Sequence, residues 1–439
     1  MTKQADPVSL REAFWYWLKL GCISFGGPAG QIALMHAELV ERRRWISERR
    51  FLHALNYCML LPGPEATQLA VYIGWLMHRT RGAILAGVLF VLPSLLLLIA
   101  LSALYMAYGT LPAVAGIMNG VKPAVVAIVL GAAWRLGGRT LGNWLLGAIA
   151  LLAFVAITIF GLPFPLIVLA AALIGLAGGR LWPQLFIVGG HASQARDYGP
   201  ALIDDDTPTP PHARFSWLRL ARTAAIGTGL GLFAWLVLAW RYGAGGAFSQ
   251  MGWFFTKAAM LTFGGAYAVL PYVYQGAVLQ HHWLSGPQMV DGLALGESTP
   301  GPLIMIVAFV GFAGGWNGAV GVGAASFAAG AIGAAVATFF TFLPSFVFIL
   351  AGGPLVEASR DDVRMTAPLT AISAAVVGVI VSLAVFFGRH VFYAGGQVQP
   401  WSIAIGAAAA VALLGFKVGP IKLIAACALA GLVLSYCHV

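Results

Sequence analysis

The chain contains LKLGCISFGGPAG at 18–30 and LLPGP at 60–64, and the two motifs return as FTKAAMLTFGGAY at 255–267 and STPGP at 298–302. Matched residues lie 238 positions apart throughout. Such an ungapped repeat predicts two homologous halves, each with its helices broken at FGG and at PGP. Internal repeats with interrupted helices are typical of transporters.

Composition supports a membrane location for these halves. The chain of 439 residues is 60% hydrophobic and 9% charged, which is too apolar for a soluble fold. Its net charge of +10 comes from Lys and Arg in short loops between apolar runs, so we expect cytoplasmic loop signals and no nucleic-acid partner. The four cysteines have no CxxC spacing and the histidines no metal-ligand pattern, so neither a disulfide nor a metal site is predicted.

Apolar stretches divide the chain. We predict an N-terminal repeat at 1–180, a polar and flexible linker at 181–215, an extra transmembrane helix at 216–242 and a C-terminal repeat at 243–439. The predicted stretches are 12–36, 51–77, 82–106, 111–134, 141–160 and 162–180, then 217–241, then 250–281, 287–313, 318–356, 367–387, 400–416 and 418–437. The motif LPS at 92–94 matches LPS at 343–345 with an offset of 251, so thirteen residues are inserted in the second half.

Loop charges predict that the second half is upside down. One extra span between homologous halves inverts the second. Loop 37–50 carries five arginines, whereas its counterpart in the second half carries no Lys or Arg. Conversely, Arg360 and Arg364 correspond to an uncharged loop at 109–113. Opposite charge bias at matched positions favours an inverted-topology repeat in an all-α polytopic membrane protein.

The same charges favour broken or re-entrant helical hairpins. If 12–36 and 51–77 both crossed the membrane, loop 37–50 would lie on the wrong face for its arginines. If each stretch enters, breaks and returns, all basic loops share one face. Each arm is too short to span alone at about 1.5 Å per residue. A tilted full span is the alternative.

The four breaks form the candidate site. Backbone groups freed by a break in hydrocarbon must be buried in protein or line a watery cavity, so we expect the breaks to meet near the midplane. Four half-helix N-termini there would attract an anion, with Pro64 and Pro302 in the first turns. The alternative is that Gly and Pro only permit kinks and close packing. The candidate substrate-binding residues are Ser24, Phe25, Gly26, Gly27, Pro62, Gly63, Pro64, Thr262, Phe263, Gly264, Gly265, Thr299, Pro300, Gly301 and Pro302.

Charged residues near the breaks add four candidates. Lys19 and Lys257 are equivalent in the repeat, and a buried lysine would serve as substrate countercharge, whereas one near a span end reaches the interface. Glu65 follows the first PGP, where a helix start explains it, and Glu297 precedes the second. A buried carboxyl beside an anion site would couple proton and anion movement.

The set FGGPAG, RRRWIS, LPGPEA and LPS, repeated as TFGGAY, HHWLS, STPGP and LPS, resembles the chromate transporter family in its long, two-domain form, over essentially the whole chain. The resemblance implies a multi-pass carrier of the cell membrane that exports chromate, confers chromate resistance, accepts sulfate as a mimic and uses proton-motive energy. We expect no cofactor. Membrane lipid should surround the chain, and a homodimer is one of the assemblies that it could form. The acidic GEST before the second PGP departs from the family pattern.

The membrane potential favours one direction of transport, and three alternative functions are considered. A dianion leaving a negative cytoplasm gains roughly 4.6 kcal/mol at 100 mV, which favours efflux without a coupled proton. A proton-coupled sulfate or other oxyanion importer, and an anion channel, are the alternatives. A membrane-embedded enzyme is disfavoured, because no nucleophile with an acid–base partner is recognised.

Overall fold

The computed structural model describes residues 8–25, 27–186, 198–208, 210–263, 265–318, 324–358, 366–394 and 396–437. These ranges are almost entirely helical, and they contain one short antiparallel pair of strands, β1 (Tyr393–Ala394) and β2 (Gln397–Val398). The α-helices of the described ranges are α1 (Leu10–Ile23), α2 (Gly27–His36), α3 (Glu48–Leu60), α4 (Glu65–Tyr108), α5 (Pro112–Thr140), α6 (Trp144–Thr158), α7 (Phe164–Leu181), α8 (Pro183–Phe186), α9 (Trp217–Tyr242), α10 (Ala247–Met260), α11 (Ala266–Tyr274), α12 (Gly286–Ser298), α13 (Ile306–Gly318), α14 (Ala324–Ala358), α15 (Thr366–Phe392), α16 (Pro400–Leu414) and α17 (Pro420–Cys437).

Seven of the described helices are long and apolar enough to cross a membrane. Three further apolar helices are shorter, among them α6 and α16, which fall within two of the predicted stretches. The prediction of an all-α polytopic membrane protein is therefore confirmed. The predicted breaks are also present, because α1 ends before FGG, α3 ends before PGP, and α10 and α12 end at the matching motifs.

The two broken-helix pairs of the first half return to the end of the bundle from which they start. Arg43, after α2, forms an ion pair with Glu12 at the start of α1, with 3.1 Å between Nη1 and Oε1. The ring centroids of Tyr16 and Trp45 are 5.1 Å apart. Helix α1 has 14 residues, and α2 together with the π-helical turn Ala37–Arg42 that continues it has 16, so each arm covers roughly 21–24 Å, less than the hydrocarbon thickness.

The second half repeats the hairpin contacts. The ring centroids of Phe254 and Trp283 are 5.4 Å apart, at the positions that correspond to Tyr16 and Trp45. The Asn317 side chain, near the end of α13, donates to the Trp283 carbonyl at 3.0 Å. The repeated tryptophan thus packs against the first helix of each half, and in the second half it also contacts the end of α13.

The repeated serine two residues after each tryptophan starts the next helix. Ser47 caps α3 by accepting a hydrogen bond from the Arg50 backbone N–H at 3.3 Å. Ser285 caps α12 in the same way, and Gln288 completes a capping box with it. The WIS and WLS motifs therefore have a structural explanation.

Hairpins of the two halves begin at opposite ends of the bundle. Helix α4 bends at His78 and Arg79, beside the first half's entry, where the His78 ring contacts the Val8 carbonyl. Its far end carries Tyr105, which donates to Asp291 near the start of α12. Helix α14 runs the other way and ends beside α3. The long helices α4 and α14 thus join the two entry regions.

The described linker residues 198–208 pack against the loop that precedes α3, whereas the sequence predicted a flexible connector. Ile203 is buried and pairs with Ile46 in an isolated parallel bridge. The Ser47 hydroxyl donates to Asp205 at 2.6 Å. These contacts hold 198–208 against the arginine-rich loop. The linker residues 187–197, and Arg360 and Arg364, lie outside the described residues.

Helix α9 is the predicted extra span and lies at the edge of the bundle. It spans 217–242 against the predicted 217–241, and it has no buried residue. Gly227 packs closely against Val347 of α14, and the Trp235 indole donates to the Ser249 carbonyl at 3.0 Å. The helix therefore contacts the bundle on one side only.

Candidate functional site: four helix breaks

Each FGG break turns the chain through a conformation that suits glycine. Gly27 has φ +70° and Gly265 has φ +101°, in the left-handed region that residues with a Cβ rarely adopt. Helix α2 begins at Gly27 and α11 begins directly after Gly265. Both breaks therefore end in a helix N-terminus. The predicted site residues Gly26 and Gly264 lie outside the described residues.

The two PGP breaks are built alike. Gly63 has φ +124° and Gly301 has φ +109°. Pro64 is the N-cap of α4, and Pro302 is the N-cap of the 3₁₀ turn (Leu303–Met305) that leads into α13. Each proline thus lies one position before the helical first turn in which it was predicted. Glu65 takes the first helical position instead.

Hydrogen bonds join the four breaks in two pairs, each of which crosses between the halves. The Gly301 N–H donates to the Ser24 carbonyl at 2.7 Å, and the Gly63 N–H donates to the Thr262 carbonyl, also at 2.7 Å. The two bonds occupy equivalent positions with the halves exchanged. The central glycine N–H of each PGP break therefore finds its acceptor at the FGG break of the other half.

The serines of the two LPS motifs lie against the same glycines. A side chain at Gly301 would collide with Ser94 of α4, and one at Gly63 would collide with Ser345 of α14. The Gln68 amide donates to the Pro62 carbonyl at 2.8 Å and to the Ser345 hydroxyl at 3.4 Å. The sequence analysis matched the LPS motifs but did not place them in the site.

Several buried polar atoms around the breaks have no hydrogen-bond partner among the described residues. Gln31 donates to the Gly301 carbonyl at 2.5 Å, but its Oε1 has no partner. Ser94 Oγ, Thr67 Oγ1 and Gln68 Oε1 are in the same state. Leaving such groups unsatisfied costs about 1–3 kcal/mol each. A polar ligand or water at the breaks would remove this cost, and the Ser94 and Thr67 hydroxyls can donate to an anion.

Most predicted hydroxyls are already committed to their own helices. Ser24 donates to the Leu20 carbonyl at 2.5 Å, and its counterpart Thr262 donates to the Ala258 carbonyl at 2.7 Å. Thr299 donates to the Gly296 carbonyl at 3.0 Å. Their protons therefore do not point toward a ligand. Of the remaining predicted residues, Phe25, Pro62, Phe263 and Pro300 are half-buried at the breaks.

The two predicted lysines are not brought to the breaks. Lys19 and Lys257 are both exposed on the outer side of their helices. The Lys257 ammonium lies over the Trp253 ring, 5.7 Å from its centroid. Helical side chains lean toward the N-terminus of their helix, which carries this ammonium away from the break.

The two predicted carboxylates do lie at the breaks, in different surroundings. Glu297 is half-buried near the end of α12 and accepts a hydrogen bond from the Tyr267 hydroxyl at 2.5 Å. Glu65 is half-buried at the start of α4, where the helix dipole favours a negative charge. Tyr267 belongs to α11, so Glu297 ties the FGG and PGP hairpins of the second half together.

The sequence analysis missed two buried ion pairs at opposite ends of the bundle. Arg50 of α3 pairs with Glu357 of α14 at 2.6 Å, and Tyr72 donates to the same carboxylate. Lys122 of α5 pairs with Asp291 of α12 at 3.2 Å.

Tyr105 donates to the second oxygen of Asp291 at 2.7 Å, so this carboxylate also has a tyrosine partner. In the other half, the His53 ring contacts the Val356 carbonyl at 2.9 Å. His53 precedes Asp291 by the repeat offset of 238, and Tyr105 precedes Val356 by 251. The same helix ends are thus pinned in both halves. The sequence signal that could have revealed the two ion pairs is the presence of charged residues inside apolar runs.

Comparisons with known proteins agree with this architecture. A family model described as chromate transporter matches residues 11–176 and, separately, residues 249–432. The chromate transport protein of Cupriavidus metallidurans is 31% identical over 390 residues, which cover 88% of this chain and 84% of that protein. No solved structure matches the chain.

Two further relatives extend over similar lengths. The chromate transport protein of Pseudomonas aeruginosa is 33% identical over 381 residues, or 85% of this chain and 80% of that protein. The probable chromate transport protein of Synechococcus elongatus is 29% identical over 385 residues, or 87% and 85%.

Changing Gly301 to Ala tests the packing of the breaks. We expect the free energy of unfolding to fall by roughly 1–3 kcal/mol or more, because the left-handed φ is strained for Ala and its Cβ collides with Ser94. The measurement is the thermal midpoint in detergent. Adding Ser94→Gly to Gly301→Ala should relieve the collision but leave the backbone strain, so it should restore only part of the lost stability. Gly147→Ala in α6 is the control, since open space surrounds that position. Equal midpoints for Gly301→Ala and Gly147→Ala would contradict the described packing.

Changing Glu357 to Gln tests the buried ion pair at the first half's entry. Arg50 and Glu357 are only 6% and 3% exposed, so removing the carboxylate leaves a buried cation and should cost about 3–5 kcal/mol. The paired change Arg50→Met with Glu357→Leu should restore most of the stability. Asp291→Asn should cost less, because Lys122 is 22% exposed and reaches water. The measurement is again the thermal midpoint in detergent. A Glu357→Gln protein with the same midpoint as the parent would show that the pair is not stabilising.

Proposed function

This chain belongs to the chromate transporter family, and we propose that it exports chromate from the cytoplasm and thereby confers chromate resistance. The resemblance drawn from the FGG and PGP motifs is confirmed by the family model and by the relatives. The chain is a multi-pass transporter of the cell membrane rather than an enzyme, and membership of the family supports chromate as the transported substrate.

The observation that carries the binding proposal is the pairing of the breaks across the halves. All four breaks end in helix N-termini, whose first N–H groups have no partner within the helix. Helix N-termini carry roughly +0.5 charge and bind anions. Buried hydroxyls of Ser94 and Thr67 lie beside them without partners in the described part of the chain. We therefore place the oxyanion at the breaks, held by backbone and neutral donors, with no lysine in direct contact.

Alternating access follows from an inverted repeat in this proposal. The hairpins of the halves begin at opposite ends of the bundle, and the matched contacts exchange the halves, which supports the inversion. The end that holds loop 37–50 would face the cytoplasm by the positive-inside rule. Rocking one half against the other would expose the breaks to each side in turn. The two buried ion pairs lie at opposite ends, where such a motion would open one and close the other.

Energetics supports export as the direction. A dianion leaving through 100 mV gains about 4.6 kcal/mol, which sustains roughly a thousandfold gradient or more. Uptake would require at least two protons to cancel the charge. The Glu297–Tyr267 pair at the breaks is the observation that favours the second candidate, a proton-coupled oxyanion importer.

Vesicle flux separates these functions. Labelled chromate movement is measured in sealed vesicles of known orientation, with membrane potential and pH gradient imposed separately. We expect a potential alone, negative on the cytoplasmic face, to drive chromate from the cytoplasmic face to the outer face, with Glu297→Gln retaining this flux. Flux toward the cytoplasmic face that is driven only by a pH gradient and is lost in Glu297→Gln would establish the importer candidate instead. Transport of sulfate without transport of chromate would overturn the assignment of chromate as the substrate.

Removing the Ser94 hydroxyl tests the site itself. A hydrogen bond to a charged group contributes about 1.5–3 kcal/mol, so Ser94→Ala should raise the KM for chromate by roughly tenfold or more. Ser102→Ala is the matched control, because Ser102 is also a buried hydroxyl of α4 without a partner among the described residues, two turns farther from the breaks. Equal KM values for the two variants would remove Ser94 from the site.

A further inference from the structure

A groove of about 940 Å³ lies beside α9 at the edge of the bundle. Its walls are α9, the part of α4 that follows the bend, and α14. Because α9 has no buried residue and contacts α14 on one side only, the groove lies at the lipid-facing edge of the protein. It does not include the helix breaks, so it is separate from the candidate transport site.

One end of the groove is basic. Its lining includes Arg79, Arg219 and Arg222 together with Thr80, Thr223 and His212, and no Asp or Glu is among the lining residues that the structure describes. Arg219 is held by the chain, because its guanidinium donates to the Pro211, His212 and Arg214 carbonyls.

Arg79 and Arg222 are exposed, and neither forms a hydrogen bond or ion pair with another residue of the described ranges. Burial, assisted by the nearby Arg79 and Arg219, lowers the pKa of His212, whose ring donates to the Trp75 carbonyl at 3.1 Å. The positive charge of this end therefore comes from arginines, and two of them are available to a ligand.

The remainder of the groove is apolar and long. Its lining includes Val88, Leu92 and Leu95 on α4, Leu230 on α9, and Leu343 and Phe346 on α14. From Arg79 to Leu95 the helix rises about 24 Å at 1.5 Å per residue, which exceeds the roughly 15 Å of hydrocarbon in one leaflet. A groove with a cationic mouth and an apolar floor of this length matches the shape and charge of one phospholipid.

We propose that this groove binds an anionic phospholipid, with the phosphate between Arg79 and Arg222 and an acyl chain along α4 and α14. Basic pockets between transmembrane helices recognise anionic headgroups by the same chemistry. The bound lipid fastens α9, which has no counterpart in the repeat, to α4 of the first half. Since Arg79 lies at the end that carries loop 37–50, the lipid belongs to the leaflet on that side.

The test uses the full chain, purified in neutral detergent and titrated with dioleoylphosphatidylglycerol or dioleoylphosphatidylcholine under native mass spectrometry. We expect the anionic lipid to bind at least tenfold more tightly. Arg79→Gln with Arg222→Gln should weaken its binding about twenty-five-fold, because each cation near an anionic surface contributes roughly fivefold. The control is Arg139→Gln with Arg241→Gln, which removes two exposed arginines outside the groove.

A second variant separates the groove from a general basic surface. Leu230→Trp keeps all the arginines but fills the apolar floor, so it should weaken phosphatidylglycerol binding and leave the thermal midpoint without lipid unchanged. Equal binding of the two lipids, or equal weakening in the control pair, would overturn the proposal. Binding of inorganic phosphate alone, lost in the Arg79 and Arg222 variant and retained in Leu230→Trp, would identify a simple oxyanion pocket instead.

Discussion

The constraint on which the structure depends is that a helix broken inside hydrocarbon must find partners for its freed backbone groups. This chain meets it by exchange, since Gly301 of the second half donates to Ser24 and Gly63 of the first half donates to Thr262. Neither half supplies the acceptor for the central glycine N–H of its own PGP break. The fold is therefore a single unit in spite of its internal repeat, and its polar centre lies between the halves.

A site between two halves suits a transporter, because relative movement of the halves changes which side reaches it. The four breaks supply helix N-termini without introducing a fixed buried cation, so an anion can be held and then released. Strong pairs are placed elsewhere, in Arg50–Glu357 and Lys122–Asp291 at the two ends. In the proposed mechanism, binding and closure thus use different residues, which allows each to be changed separately.

The repeat made the breaks predictable, while contacts between distant residues were not. Offsets of 238 and 251 located FGG, PGP and LPS, and the helix termini at the breaks followed from Gly and Pro chemistry. Side-chain direction did not follow, so Ser24 and Thr262 bond to their own helices and Lys257 lies outside. The Arg50–Glu357 pair joins residues 307 apart in the chain, a distance that no local pattern spans. The missed serine, Ser94, was visible only as a repeated motif.

The most direct test of the central claim is the position of bound chromate. Crystals of the protein soaked in chromate, with data collected at the chromium absorption edge, would locate the metal of the oxyanion by its anomalous signal. The account predicts chromium beside Gly301, Gln31 and Ser94, or at the equivalent break beside Gly63 and Ser345. Chromium beside Lys257, or at a position away from all four breaks, would contradict it.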